Sequence, residues 1–182
     1  NLLMVFVVSM IAWAATASSE TISYEVNGKR FEGEFVTLTQ NAPLVFLVHD
    51  WDGLTDYEIR RAGMLAELGY AVFAADLFGA GVRPESTEEK RRLTGRLYED
   101  REQMRAILNA ALDAARSQRV AANRVVAAGY CFGGTAVLDE VARRMGISRA
   151  RLSSSYSVFE TCGNMSSATV LFALRDLGVR IE

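Results

Sequence analysis

The feature that most constrains this chain is a cysteine set between glycines, in the sequence Gly-Tyr-Cys-Phe-Gly-Gly over residues 129–134. An apolar run over residues 124–130 leads into it, and the chain must then turn sharply into a helix. The backbone at such a tip is strained, and the neighbours two positions before and after it must be nearly without side chains. The pattern predicts a nucleophile elbow with Cys131 at its tip. A buried, inert cysteine is the alternative.

Five runs of residues predict the strands. The first two are joined by Asn-Gly at residues 27–28, which favours a tight antiparallel hairpin. The last three are continuously apolar, as expected of strands that are covered on both faces. The predicted strands cover residues 21–26, 31–38, 44–48, 70–75 and 125–130.

Helices are predicted between the last three strands. Capping patterns begin at Thr55 and Ser86, each with a glutamate three residues later. The first helix is expected to end at Gly69, and the second helical region at about Ser117, with a break near residues 94–95. The core face of the second region is predicted to consist of Met104, Ile107, Leu108, Ala111, Leu112 and Ala115.

Alternating strands and helices predict an α/β fold, in which a mostly parallel sheet has helices on both faces. Ligand sites of such sheets lie at the carboxyl ends of the strands. His-Asp-Trp at residues 49–51, the segment 78–83 and Cys131 all follow predicted strands. These three segments are therefore expected to converge on one crevice.

Three motifs in this order resemble the dienelactone hydrolase family of the α/β-hydrolase superfamily. They are Val-His-Asp-Trp at 48–51, Asp-Leu-Phe-Gly-Ala-Gly-Val-Arg-Pro at 76–84 and the cysteine motif at 129–134. The resemblance covers residues 24–141. It implies an α/β-hydrolase core that cleaves a small lactone or ester through a cysteine acyl-enzyme and without a cofactor.

The resemblance also implies the site residues. The backbone N–H groups of Phe132 and Trp51 would form the oxyanion hole. Asp50 would place a carboxylate near Cys131 and help to control its protonation, although an Asp at this position also caps turns. Arg83 would bind a substrate carboxylate, and a solvated surface arginine is the alternative.

The catalytic histidine is missing from the expected place. His49 is the only histidine and precedes the cysteine, whereas this fold uses the order nucleophile, acid, histidine. Beyond about Arg144 the resemblance fails, and residues 168–177 resemble a late helix of the family or, alternatively, hold a strand that delivers Asp176 as the acid. The C-terminal strands are thus expected to be incomplete and the hydrolase impaired. A non-catalytic fragment or a small-molecule-binding protein on the same scaffold is the other hypothesis.

The N-terminal residues are predicted to be a signal peptide. An apolar run over residues 2–13 precedes Ala-Thr-Ala at 15–17 and is too short for a stable membrane span. Residues 1–17 would be the signal peptide, of a secreted or periplasmic protein, and residues 18–182 its single domain; an uncleaved anchor and a buried strand are the alternatives. In an oxidising compartment Cys131 could pair with Cys162.

Composition excludes several classes of partner. The net charge is −2, and the charges of residues 85–105 alternate in sign as on a solvated helix face, so no nucleic-acid partner is expected. The sequence shows no Cys/His metal cluster, no phosphate loop and no dinucleotide fingerprint. The expected partner is a small-molecule ester or lactone, with no metal and no cofactor.

Overall fold

The computed structural model describes residues 18–137, which form one mixed sheet with helices on both faces. The sheet order is β1-β2-β4-β3-β5, in which β3 pairs in parallel with β4 and β5 while β2 pairs antiparallel with β1 and β4. The elements in chain order are β1 (Ser18–Val26), β2 (Lys29–Thr37), β3 (Pro43–Val48), α1 (Asp56–Glu67), β4 (Ala71–Ala75), α2 (Thr87–Glu99), α3 (Arg101–Arg116), β5 (Ala121–Gly129) and α4 (Phe132–Ala136).

Several predictions fall outside these residues. The signal peptide over residues 1–17, the pairing of Cys131 with Cys162, and the helix or strand that would carry Asp176 all involve residues that the structure does not describe. The predicted incompleteness of the C-terminal strands concerns the same part of the chain.

The predicted hairpin is confirmed. Asn27 and Gly28 have φ angles of 51° and 74°, the left-handed conformations that a two-residue turn with the twist of a β-hairpin requires. The strands pair without a bulge from Val26 opposite Lys29 to Ser18 opposite Thr37. Lys29 therefore lies at the end of the hairpin that faces the carboxyl end of β4.

The two central parallel strands are buried on both faces, as their unbroken apolar sequences predict. Side chains alternate between two core clusters: Phe46 and Phe73 pack with α3 on one face, and Val45 and Val72 pack with α1 on the other. The third predicted buried strand, β5, is only partly covered, and the Val126 side chain is 57% exposed. Within the described residues β5 is an edge strand, because it pairs with β3 alone.

The first helix begins and ends where its caps predict. The carboxylate of Glu58 accepts hydrogen bonds from the Thr55 N–H (3.0 Å) and hydroxyl (2.8 Å), and the Thr55 hydroxyl accepts from the Tyr57 N–H. At the other end Gly69 has a φ of 91°, and its N–H donates to the Ala66 carbonyl.

The predicted break near residues 94–95 is wrong, because both residues lie inside α2. The Thr94 hydroxyl donates to the Lys90 carbonyl four residues earlier (2.8 Å), which satisfies this polar group within the helix. The break lies at Asp100, whose carboxylate accepts from the Gln103 N–H (2.8 Å) and so caps α3. The six residues predicted to form the core face of α3 are all buried, which confirms that prediction.

Replacing Asp100 with alanine is expected to lower the free energy of unfolding by about 1 kcal/mol, because α3 loses its N-cap. Chemical denaturation measures the change. The matched control is Glu99→Ala, one residue earlier at the exposed C-terminus of α2, which is expected to change stability by less than about 0.5 kcal/mol. Equal losses in the two variants would contradict the capping role.

Candidate active site

Cys131 lies where β5 turns into α4, as the glycine pattern predicts. Its backbone has φ 47° and ψ −107°, a combination that a residue with a side chain rarely adopts. Such strain persists only where the surrounding structure imposes it, and it is found most often at functional sites. The Cys131 side chain is half-buried and forms no disulfide within the described residues.

The flanking glycines show what imposes this conformation. A Cβ atom on Gly129 would lie 2.5 Å from the Gly133 carbonyl oxygen and 2.8 Å from the Gly134 nitrogen. A Cβ atom on Gly133 would collide with the carbonyl oxygens of Val48 and His49. Both positions require glycine, because the elbow is packed backbone to backbone against itself and against the end of β3.

The three predicted loops do converge. The His49 ring lies 4.7 Å from the Phe78 ring and 6.1 Å from the Phe132 ring, centroid to centroid. A Cβ atom on Gly53 would be 3.3 Å from the Phe78 ring and 3.6 Å from Cδ of Arg83. The loops after β3, β4 and β5 therefore pack against one another beside the elbow.

Both ring nitrogens of His49 form hydrogen bonds within the protein. His49 is fully buried, and its Nε2 accepts a hydrogen bond from the Leu77 N–H (3.0 Å). Nδ1 must then carry the proton, which it donates to the Asp50 carbonyl (2.5 Å). Burial lowers the pKa of His49, so the ring is neutral at neutral pH. With both nitrogens occupied, the ring has no lone pair left to accept a proton from Cys131.

Asp50 caps the turn that follows β3. Its half-buried carboxylate accepts a hydrogen bond from the Asp52 N–H (3.0 Å), which is the turn-capping alternative that the sequence leaves open. Burial and then the neighbouring Asp52 carboxyl raise the pKa of Asp50 to about 7. The loop beside the elbow thus contains a carboxyl group that exchanges its proton near neutral pH.

An Asp50→Asn variant is expected to remove part of the pH dependence of stability. An unfolded Asp titrates at about 3.9, so between that value and about 7 the folded chain binds more protons and its unfolding free energy falls as pH rises. Asparagine keeps the acceptor for the Asp52 N–H but cannot ionise. The stability of the variant relative to the unmodified chain should rise by about 1–2 kcal/mol from about pH 4 to about pH 8, after allowance for solvent screening. If the free energies of unfolding of the variant and the unmodified chain depend on pH in the same way, the raised pKa of Asp50 is contradicted.

Arg83 and Trp51 lie on the solvent side of the site. The Arg83 guanidinium is exposed, donates to its neighbouring Val82 carbonyl (2.8 Å) and borders a shallow groove of about 410 Å³ along the start of α1. Trp51 is 37% exposed, and its ring lies 5.6 Å from the Lys90 ammonium. The side chains of both residues are therefore accessible from solvent.

Tyr57 and Tyr98, which the sequence patterns do not single out, contact the elbow from its two sides. The Phe132 ring is buried against Phe78 (5.9 Å) and Tyr98 (5.4 Å), which brings α2 onto the residue after the cysteine. The Tyr130 ring meets Tyr57 of α1 edge to face at 5.5 Å. These contacts fix the residues on both sides of Cys131.

Two observations bear on metals and membranes. No three His, Cys, Asp or Glu side chains among residues 18–137 are arranged to hold a metal ion. Over the same range, every helix is too short or too polar to cross a bilayer.

Comparisons with known proteins reveal the relatives of this chain. A solved structure named m3DLH is 38% identical, with a TM-score of 0.66, over 70% of this chain and 55% of its own. A dienelactone hydrolase-like promiscuous phosphotriesterase from metagenomic libraries is 32% identical, with a TM-score of 0.65, over 70% of this chain and 54% of its own. Protein usf of Aquifex pyrophilus is 26% identical over 121 residues, which are 64% of this chain and 52% of that protein. The chain spans about half the length of these relatives.

These similarities confirm the predicted α/β-hydrolase fold class. The model of the dienelactone hydrolase family matches residues 31–152 and includes all three sequence motifs. Since this match extends over more than half of the 182 residues, the chain belongs to the dienelactone hydrolase family.

Proposed function

We propose that this chain cleaves a small carboxylic ester or lactone through an acyl-enzyme on Cys131. The observation that carries the proposal is the strained elbow, which presents a half-buried thiol at the carboxyl end of the parallel strands. The sulfur would attack the carbonyl carbon, the C–O bond would break, and the alcohol would leave with the thiol proton. Water would then hydrolyse the thioester and release a carboxylate.

Two backbone N–H groups would stabilise the oxyanion formed during attack. Phe132 is the first residue of α4, and the first N–H groups of a helix have no acceptor within the helix. Trp51 lies in the loop after β3, against which the elbow is packed through Gly133. Donors in these places can be held rigid by the backbone, which is what gives an oxyanion hole its effect.

Arg83 and Asp50 would have supporting roles. Arg83 would bind a carboxylate of the substrate, because its guanidinium is exposed beside the same loop and guanidinium groups bind carboxylates in a bidentate manner. Asp50 would exchange a proton with the cysteine, a role for which its pKa of about 7 is suited. The proposed substrate is therefore a small, anionic ester or lactone.

Deacylation is proposed to be slow in the 182-residue chain. His49 is its only histidine, and both of its ring nitrogens are used within the structure. Activation of water by a positioned base typically contributes 10²–10⁴-fold to rate, so the acyl-enzyme should accumulate. The same observation favours the second candidate, a small-molecule-binding protein that retains the scaffold without turnover.

The test is a burst experiment with p-nitrophenyl acetate. We expect rapid release of about one nitrophenolate per chain, followed by slow turnover, and one acetyl group on Cys131 in mass spectrometry of the protein and its peptides. An activated phosphotriester is the second probe, because one relative is described as a promiscuous phosphotriesterase. Fast multiple turnover would show that another group serves as the base. No burst and no adduct with either probe would leave only the binding protein.

A further inference from the structure

We propose that a cavity beside the active site, on the far side of Phe78 from Cys131, binds a small monocarboxylate with an apolar body. The cavity lies at the carboxyl end of β4, between the start of β2 and helices α2 and α3, and has a volume of about 760 Å³. This is within the range of small-molecule sites, roughly 300–1,000 Å³. Cys131 and Arg83 are not among its lining residues. The inference does not rest on the proposed function.

The floor of the cavity is apolar and well ordered by the core. Phe31, Leu97 and Ile107 line it, and their exposed fractions are 0%, 7% and 2%. These side chains belong to a strand and two helices that are fixed by packing on one face of the sheet. Leu93 of α2, which is half-buried, adds the accessible apolar surface that an apolar ligand body would cover.

Two cationic side chains line the cavity beside this apolar surface. The Lys29 ammonium donates to the Phe78 carbonyl (2.5 Å) and lies 5.3 Å from the centre of the Phe31 ring, which leaves two of its three N–H donors for a ligand. Arg96 is exposed on α2 and has no ion pair among residues 18–137. Its five N–H donors could hold a carboxylate in a bidentate manner.

The acidic residues on the rim limit the charge of the ligand. The Asp100 carboxylate caps α3, so its negative charge is directed at the N-terminus of that helix. Glu99 remains beside the two cations. The formal charges of the lysine and arginine and of the two acidic residues sum to zero, so one ligand carboxylate would be held by the N–H donors of the two cations, and a second would add further uncompensated negative charge.

Phe78 separates this cavity from the elbow. It lines the cavity, while its ring contacts both the His49 and Phe132 rings. Its N–H is held by the Asp76 carboxylate (2.9 Å) and its carbonyl by Lys29, so the backbone of this dividing wall is fixed on both sides. An occupant of the cavity would therefore contact a side chain that packs on Phe132, the residue after Cys131.

The test is calorimetric titration with phenylacetate and with its neutral analogue phenylacetamide. We expect phenylacetate to bind once per chain and the amide to bind at least about tenfold more weakly. Arg96→Gln should weaken phenylacetate binding about tenfold or more. The matched control is Arg91→Gln on the same helix, which removes the same charge away from the cavity and should leave the affinity unchanged.

Four outcomes would overturn the proposal. They are no binding of phenylacetate, equal affinities for the acid and the amide, equal affinities of the Arg96 and Arg91 variants, and a loss of binding when Cys131 is alkylated but not when Arg96 is replaced. The last would place the probe at the elbow. Lys29→Met is a further variant that should also weaken binding. Arg96→Gln remains decisive if that variant fails to fold, because Arg96 is exposed on a helix.

Discussion

Replacing Gly133 with alanine is expected to lower the free energy of unfolding by about 3 kcal/mol, as measured by chemical denaturation. The added methyl group would collide with the carbonyl oxygens of Val48 and His49. These are backbone atoms at the end of a central, buried strand and cannot move aside as a flexible side chain can. The elbow or β3 would have to shift, and either change disturbs core packing.

The matched control is Gly95→Ala inside α2, where a Cβ atom would meet nothing within 4 Å. Alanine is the better helix former, so this variant is expected to be more stable by about 0.5–1 kcal/mol. The two identical chemical changes should thus have opposite signs. A neutral or stabilising effect at Gly133 would show that the elbow does not rest on the backbone of β3.

Replacing Cys131 with serine or alanine is expected to abolish the nitrophenolate burst and to lower the rate of ester cleavage by about 10³-fold or more, to the level of the uncatalysed reaction. The physical reason is that no other nucleophile among the described residues occupies a strained turn at the carboxyl end of the sheet. Stopped-flow absorbance measures the burst, and circular dichroism confirms that the variants fold.

Cys162→Ser is the matched control, since Cys162 is the other cysteine of the chain and lies outside the elbow motif. It is expected to retain the burst and the acetyl adduct on Cys131. An unchanged burst and rate in the Cys131 variants would remove this cysteine from the mechanism and favour the binding protein. Loss of the burst in both would mean that the two cysteines act together.

Predictions from sequence succeed where short-range sterics decide the structure. The elbow follows from glycines within two residues of Cys131, and the hairpin turn follows from Asn27 and Gly28 alone. The ends of α1 are likewise determined by side chains within one helical turn. The hairpin and the helix ends depend on contacts within the local sequence, and the elbow depends in addition on the contact of Gly133 with the end of β3.

Predictions fail where distant groups compensate a weak local preference. Thr94 and Gly95 have low helix propensity, yet α2 continues through them because it packs on the core through Leu97 and contacts Phe132 through Tyr98. The cap at Asp100 was a local signal that could have placed the break. The cavity beside Phe78 could not be predicted, because it requires the pairing of β2 with β4 to bring Lys29 to the loop after β4.

The packing of Gly133 on the carbonyl oxygens of Val48 and His49 separates the placement of Cys131 from the choice of the side chains around it. The position of the sulfur is set by peptide groups, which every sequence on this scaffold shares. Trp51 and Arg83 contribute side chains around it without setting that position. An engineer could therefore exchange these two residues to admit a different acid or alcohol portion of the proposed substrate while the backbone of the elbow stays in place.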